Sequence, residues 1–356
     1  MHYIDIYAGG RAEKSIQQKG FTPELFKAFL GASGGPKWFI LAGLDQVIFP
    51  HFFSKSTHKI DVIGSSAGAF RAACLTQSDP KAAILRLANR YSSTVYSEKP
   101  TSREITQKGY ELLLHMMGDN GVHEVLNNER FNAHFFVAKC HGLVSSEKRS
   151  SQLAGLMVAG TRNLVSRQRL QKSFTRTVFS TRPKHDLFVD PDKFPTEFCH
   201  LSETNLLDSL MASGSIPLIL DGVTKIQGAA PGMYRDGGII DYHFDLRLAQ
   251  DGLVLFPHFY PTPTPGWFDK GLKNRNCKPS SYDNVLMICP SAEFVRSLPY
   301  QKIPDRKDFE EMPADQRIAY WQTVIDKSQK MGDEFLKLID SGEIVSRIKP
   351  IQLSRK

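Results

Sequence analysis

The stretch Lys59-Ile60-Asp61-Val62-Ile63-Gly64-Ser65-Ser66-Ala67-Gly68-Ala69-Phe70 decides how the chain is read. It enters as a β-type run and leaves as Ala-rich, helix-like sequence. Between the two, Gly64 to Gly68 satisfies the pattern G-x-S-x-G. A strand, a sharp turn and a helix form the context in which such a pentapeptide presents a nucleophilic serine. The glycines are needed for steric reasons, because a nucleophile on a tight turn has strained backbone angles and side chains two residues away would collide. The turn is predicted to hold the Ser66 hydroxyl at the carboxyl end of a sheet, above a helix amino terminus that favours developing negative charge. An ordinary small-residue turn would satisfy the same letters, so the surroundings must decide.

Upstream, residues 26–30 read as a strand, followed by a Gly-rich turn and a helix over about 38–49. That turn, Gly31-Ala32-Ser33-Gly34-Gly35, is a second match to G-x-S-x-G, and Pro36 and Lys37 follow it. Proline is acceptable in a first helical turn. Both loops cannot supply the nucleophile of one site, but adjacent parallel strands bring their carboxyl-end loops together. The backbone N–H groups of Gly34 and Gly35 are therefore predicted to form an oxyanion hole, with Lys37 nearby. Neither a Walker pattern nor a full G-x-G-x-x-G supports a phosphate-binding loop instead.

Further strands fit 135–138, 177–180, 253–256 and 285–288. Helices fit 67–76, 80–93, 103–117, 150–172 and 314–339, while 257–281, rich in Pro, Gly and Lys, reads as a long loop. This alternation predicts an α/β fold with a parallel sheet and helical additions. At 356 residues, 41% hydrophobic and 23% charged, the chain is ordinary globular material and neither disordered nor fibrous. Five scattered cysteines (Cys74, Cys140, Cys199, Cys277 and Cys289) include no CxxC pair, so reduced, buried thiols are expected rather than a disulfide scaffold or zinc ribbon. The amino terminus lacks the pattern of a signal peptide, and no apolar run approaches the roughly 20 residues that span a bilayer. The expected location is cytoplasmic, with peripheral membrane contact left open.

The net charge of +8 is local. Between Lys148 and Lys184 stand nine basic residues and no Asp or Glu, which leaves the remainder of the chain at −1. Leu153, Leu156, Met157 and Leu164 fall on one side of a helix there. Arg162, Arg169 and Lys172 fall away from that side, and Arg167 fits neither. Such a helix can lie on an anionic membrane surface, or its apolar stripe can dock on the core. No nucleic-acid partner is expected, because aromatics other than Phe174 and Phe179 are missing from the window and no recognition motif accompanies it.

A serine nucleophile needs a base. Asp236 stands in Tyr234-Arg235-Asp236-Gly237-Gly238, where glycines let the backbone turn tightly and offer up the carboxylate. His243 and His258 follow, in the Ser…Asp…His chain order of α/β-hydrolases, and either could complete a triad. Asp186, Asp190 and Asp192 have no EF-hand spacing, and no metal or cofactor is expected.

Four ordered blocks now resemble the patatin-like phospholipases: Gly34-Gly35-Pro36-Lys37, Gly64 to Gly68, Met211-Ala212-Ser213-Gly214-Ser215-Ile216-Pro217, and Asp236-Gly237-Gly238. The blocks are similar to that family's oxyanion loop, nucleophile elbow, pre-aspartate segment and aspartate turn. Ala32 and Ser33 depart from the Asp-Gly that usually begins the oxyanion loop. The resemblance implies a three-layer α/β/α fold with a mainly parallel central sheet. It implies a Ser66–Asp236 dyad without histidine, with Ser33 in the oxyanion loop and His243 outside the mechanism. It further implies a catalytic domain over 1–300, carrying a basic helical insertion near 148–184, and a C-terminal helical extension over 301–356 packed on the same domain. The function it implies is hydrolysis of carboxylic esters of phospholipids or related lipids. The alternatives are a Ser-Asp-His esterase of soluble esters and a non-catalytic lipid-binding protein.

Overall fold

The computed structural model describes residues 1–183, 186–249 and 251–354. Twelve strands form among the described residues: β1 (Ile4–Ala8), β2 (Phe26–Gly31), β3 (Ile60–Ser65), β4 (Phe131–Cys140), β5 (Phe174–Ser180), β6 (Phe188–Val189), β7 (Thr196–His200), β8 (Met233–Asp236), β9 (Arg247–Leu248), β10 (Leu253–Pro257), β11 (Val285–Pro290) and β12 (Ile348–Pro350). Every residue of β4, β10 and β11 is buried. Strands buried on both faces belong to a sheet covered by helices on each side. The strands accordingly assemble in the order β12-β1-β11-β10-β2-β3-β4-β5-β7, with β6 and β9 pairing separately. From β11 through β10, β2 and β3 to β4 every neighbour is parallel, and β1 and β5 join antiparallel on either side. The result is the expected α/β/α fold with a mainly parallel sheet.

One register detail positions the site. β4 is ten residues long, and β3 covers only its first part, ending with Ser65 opposite Phe136. Along the same edge β8 runs antiparallel to β4 and ends with Asp236 opposite the next residue, Val137. The carboxyl ends of β3 and β8 therefore meet head to head, and the residues that follow β3 fall against Asp236.

Several expectations are refined. The helix expected over 38–49 is a 3₁₀ segment (Gly35–Leu41), one α-helical stretch (Ala42–Val47) and a π-helical turn (Ile48–Phe52). A long helix, Ala314–Asp340, packs on Ala42–Val47 at a glycine contact: a Cβ on Gly43 would meet the Ser328 carbonyl oxygen at 2.1 Å. Beyond that helix, β12 pairs with β1 as an edge of the main sheet. The helix expected over 150–172 stops at Val165, and Ser166, extended at φ −161°, breaks it from a 3₁₀ segment (Arg167–Lys172).

Of the two placements open to the apolar stripe, the helix Arg149–Val165 mostly takes the outward one, and among the four stripe residues only Leu156 is buried. Its buried residues are Gln152, Gly155, Leu156, Ala159 and Asn163, whereas Leu153, Met157 and Leu164 are exposed. Small residues let the backbone approach closely, since a Cβ on Gly155 would meet the Val144 nitrogen at 2.5 Å. The basic window is divided too. Arg167 is buried against Asp192 and Asp269, and Arg176 against Asp190 and Asp241. Two of the three aspartates weighed as cation ligands are therefore arginine partners. Lys184 lies outside the described residues.

Candidate active site

Ser66 follows β3 directly and opens the helix Ala67–Leu75. Its backbone sits at φ 56° and ψ −129°, in the left-handed half of conformational space that non-glycine residues rarely occupy. The chain can turn this tightly only because its neighbours lack side chains. A Cβ on Gly64 would lie 2.2 Å from the Gly68 carbonyl oxygen, and one on Gly68 would lie 1.8 Å from that of Gly31. The turn is tied down from outside, because the Ser66 N–H donates to Ser213 Oγ at 2.9 Å and Ser213 Oγ–H donates to the Phe136 carbonyl at 2.7 Å. Ser213 belongs to the segment preceding the aspartate in the sequence, which thus acts as a clamp on the elbow.

The Ser66 hydroxyl donates to Asp236 Oδ2 at 2.7 Å, while the other carboxylate oxygen accepts the Gly238 N–H at 2.7 Å. Both glycines after Asp236 are sterically required. A Cβ on Gly237 would meet the Phe136 carbonyl oxygen at 2.0 Å, and one on Gly238 would meet Ser33 Oγ at 2.6 Å. Burial pushes the Asp236 pKa up to about 6, although the hydrogen bonds from Ser66 and Gly238 pull the other way. A carboxylate in this range is a stronger base than an ordinary aspartate and is still ionised at neutral pH.

Ser33 is buried, and its hydroxyl is 3.1 Å from both the carbonyl oxygen and Oγ of Ser65. The second G-x-S-x-G thus places its serine behind the elbow and braces it. Gly34 and Gly35 line the same 110 Å³ pocket as Ser66 and Asp236. Gly35 opens the 3₁₀ segment, where first-turn N–H groups have no partner within the helix, and its φ of 56° suits glycine. Lys37 faces this pocket, paired with Asp305, and burial lowers its pKa to about 8.

Neither histidine joins the pair. His243 Nδ1 accepts the Thr264 N–H at 2.8 Å. His258 sits beside the backbone of Tyr260, and burial pushes its pKa down to about 3. Neither appears among the hydrogen-bond partners of Ser66 and Asp236 in the described residues.

Two features were invisible in the sequence. Lys270 and Arg306 join Lys37 around the small pocket. The Lys270 ammonium lies 3.9 Å from the centre of the Tyr242 ring. Burial and repulsion from Lys37 lower its pKa to about 7, although the residue as a whole is exposed. Arg306 is exposed and forms no ion pair among the described residues. On the other side of Ser66 opens a cavity of about 1040 Å³, whose walls include Phe70, Ile105, Leu112, Met211, Leu220 and Phe309. Apart from Phe70 and Met211, which stand at the ends of the elbow and pre-aspartate stretches, no motif signals these groups, because they come from loops and helices far apart in the chain.

The family model described as Patatin-like phospholipase matches residues 59–243. The match takes in the elbow, the segment before the aspartate and Asp236, and it begins after the Gly34–Lys37 loop. No curated protein matches the chain significantly.

Proposed function

Because the chain belongs to the patatin-like phospholipase family, we propose that it is a serine acyl hydrolase cleaving carboxylic esters of phospholipids through a Ser66–Asp236 dyad. The observation that carries this reading is the 2.7 Å hydrogen bond from the strained Ser66 to a buried carboxylate with a raised pKa. Ser66 Oγ attacks the ester carbonyl as Asp236 accepts its proton. The tetrahedral oxyanion is held by the Gly34 and Gly35 N–H groups, each donor contributing about 3 kcal/mol. Collapse expels the alcohol, which takes the proton. The acyl group is left on Ser66 Oγ; Asp236 then takes a proton from an attacking water and passes it to Oγ as the acyl–Oγ bond breaks and the fatty acid leaves. The domain reading goes with this: a catalytic domain over 1–300 with an extension over 301–356 packed on it.

The preference for phospholipid over a neutral ester rests on the two-sided surroundings of Ser66. The apolar part of the large cavity's wall suits an acyl chain, and Lys37 and Lys270 at the small pocket, with Arg306 lining both spaces, suit a phosphate. A charge-assisted hydrogen bond contributes about 1.5–3 kcal/mol. Arg306→Ala is therefore expected to raise KM for a lysophospholipid by about tenfold or more, with kcat and monoacylglycerol turnover unchanged. Steady-state assays on the two substrates check this.

Labelling by a fluorescent fluorophosphonate tests the core of the proposal. The wild type and Ser33→Ala are expected to take label and Ser66→Ala to take none. Label lost only in Ser33→Ala would exchange the roles of the two loops. A folded wild type that took no label would favour a non-catalytic lipid-binding protein.

A further inference from the structure

The helix Arg149–Val165 carries its large side chains on the wrong side for a soluble surface. Eleven large hydrophobic residues are exposed among the described residues, and six of them lie between Gly142 and Val165: Leu143, Leu153, Met157, Val158, Leu164 and Val165. Met157, Leu164 and Val165 are each 61% exposed. A contiguous apolar face of this kind marks a contact surface rather than scattered surface chance.

Charge and position select the occupant. Residues 148–183 contain no Asp or Glu, and Lys148, Arg149, Arg169 and Lys172, on this helix and the segment next to it, are all exposed. Arg149, at the amino end of the helix, also lines the large cavity that reaches Ser66. An apolar stripe rimmed by cations is the form that lies in the headgroup layer of an anionic bilayer. Among the described residues no helix is long and apolar enough to cross a membrane, so this contact would be peripheral.

We propose that the outward face of this helix, with Leu143, is the surface by which the protein docks on anionic lipid, presenting the cavity mouth to the bilayer. The choice of lipid as the occupant rests on the hydrolase reading above. The apolar residues enter the interface and the exposed cations hold its charge, so membrane binding involves both together.

The test is flotation with vesicles of phosphatidylcholine and phosphatidylglycerol, using Ser66→Ala protein so that the lipid stays intact. Bound fractions are expected to fall by on the order of a hundredfold on adding Leu153→Ser, Met157→Ser and Leu164→Ser together. Arg169→Ala with Lys172→Ala is expected to weaken binding to anionic vesicles only, and added salt to do the same. In the Ser66-intact background, the three serine substitutions should leave hydrolysis of a short soluble ester unchanged, which also shows that the variant folds. Lost ester hydrolysis in the unmodified protein would count against the dyad, not against docking. Equal vesicle binding with and without the three substitutions would overturn the proposal. So would a parent that does not float, or one that is dimeric in solution and becomes monomeric with them, which would make the face a self-interface.

Discussion

Asp236→Asn is expected to abolish turnover and at the same time to make the protein more stable. Loss of the base lowers kcat by roughly 10³–10⁴-fold. The stability gain follows from the raised pKa. In the unfolded chain Asp236 titrates near 3.8, and in the fold near 6. A group whose folded pKa is raised stabilises the fold fully only below its unfolded value, and that contribution is lost as pH rises towards 6. Above pH 6 the buried carboxylate therefore costs about 3 kcal/mol relative to a neutral group. Asparagine is neutral throughout and retains an acceptor for the Gly238 N–H, while the Ser66 hydroxyl can turn to accept from the amide. Urea denaturation should show the variant more stable by about 2–3 kcal/mol at pH 8, with the difference vanishing near pH 4. For the wild type acting on a neutral soluble ester, kcat/KM should fall about tenfold per unit as pH drops below 6 and be flat above it. A variant less stable than wild type at pH 8 would show that the carboxylate is held by more than the bonds from Ser66 and Gly238.

The elbow was legible because steric necessity writes itself locally. Gly64, Gly68, Gly237 and Gly238 each sit where a Cβ would meet another atom at less than 3 Å, and each was read from a short motif. What brings the two motifs together was not legible. β8 is four residues long with all four buried, so it has no alternation to read, and its partner is the far end of β4. The edge strand Ile4–Ala8 did carry an alternating pattern, but it sits outside the βα repeats that guided the reading. The sequence of the helix Arg149–Val165 leaves two placements open for a physical reason. Apolar periodicity says which residues share a face but not which face is inside, and here Gly155 and Ala159 win the interior by allowing close backbone approach. Lys270 and Arg306 are recruited by tertiary placement alone.

Asp45 illustrates the same limit, and it carries the second large effect. In the sequence it only interrupts an apolar run. In the fold it accepts two hydrogen bonds from Arg71, at 2.8 Å to Nε and 2.7 Å to Nη2, with both side chains fully buried. Arg71 lies on the helix that Ser66 opens, and Asp45 on the stretch that continues the Gly35–Leu41 segment. The pair therefore bolts the elbow to the segment that follows the Gly34–Lys37 loop. Removing one partner leaves an uncompensated buried charge, so Arg71→Met or Asp45→Leu alone should cost about 3–5 kcal/mol. Replacing both should recover most of that loss, because apolar groups of similar size fill the space. The native pair is also incompletely satisfied, since Arg71 Nη1 has no hydrogen-bond partner among the described residues. Denaturation of the two single variants and the double variant measures the coupling directly. Strictly additive losses would show that the two charges do not depend on each other. Turnover in the recovered double variant then separates folding from positioning. If the bolt aligns the Gly34 and Gly35 donors with Ser66, the double variant should be stable yet slower by about tenfold, since small misplacements of catalytic groups are costly.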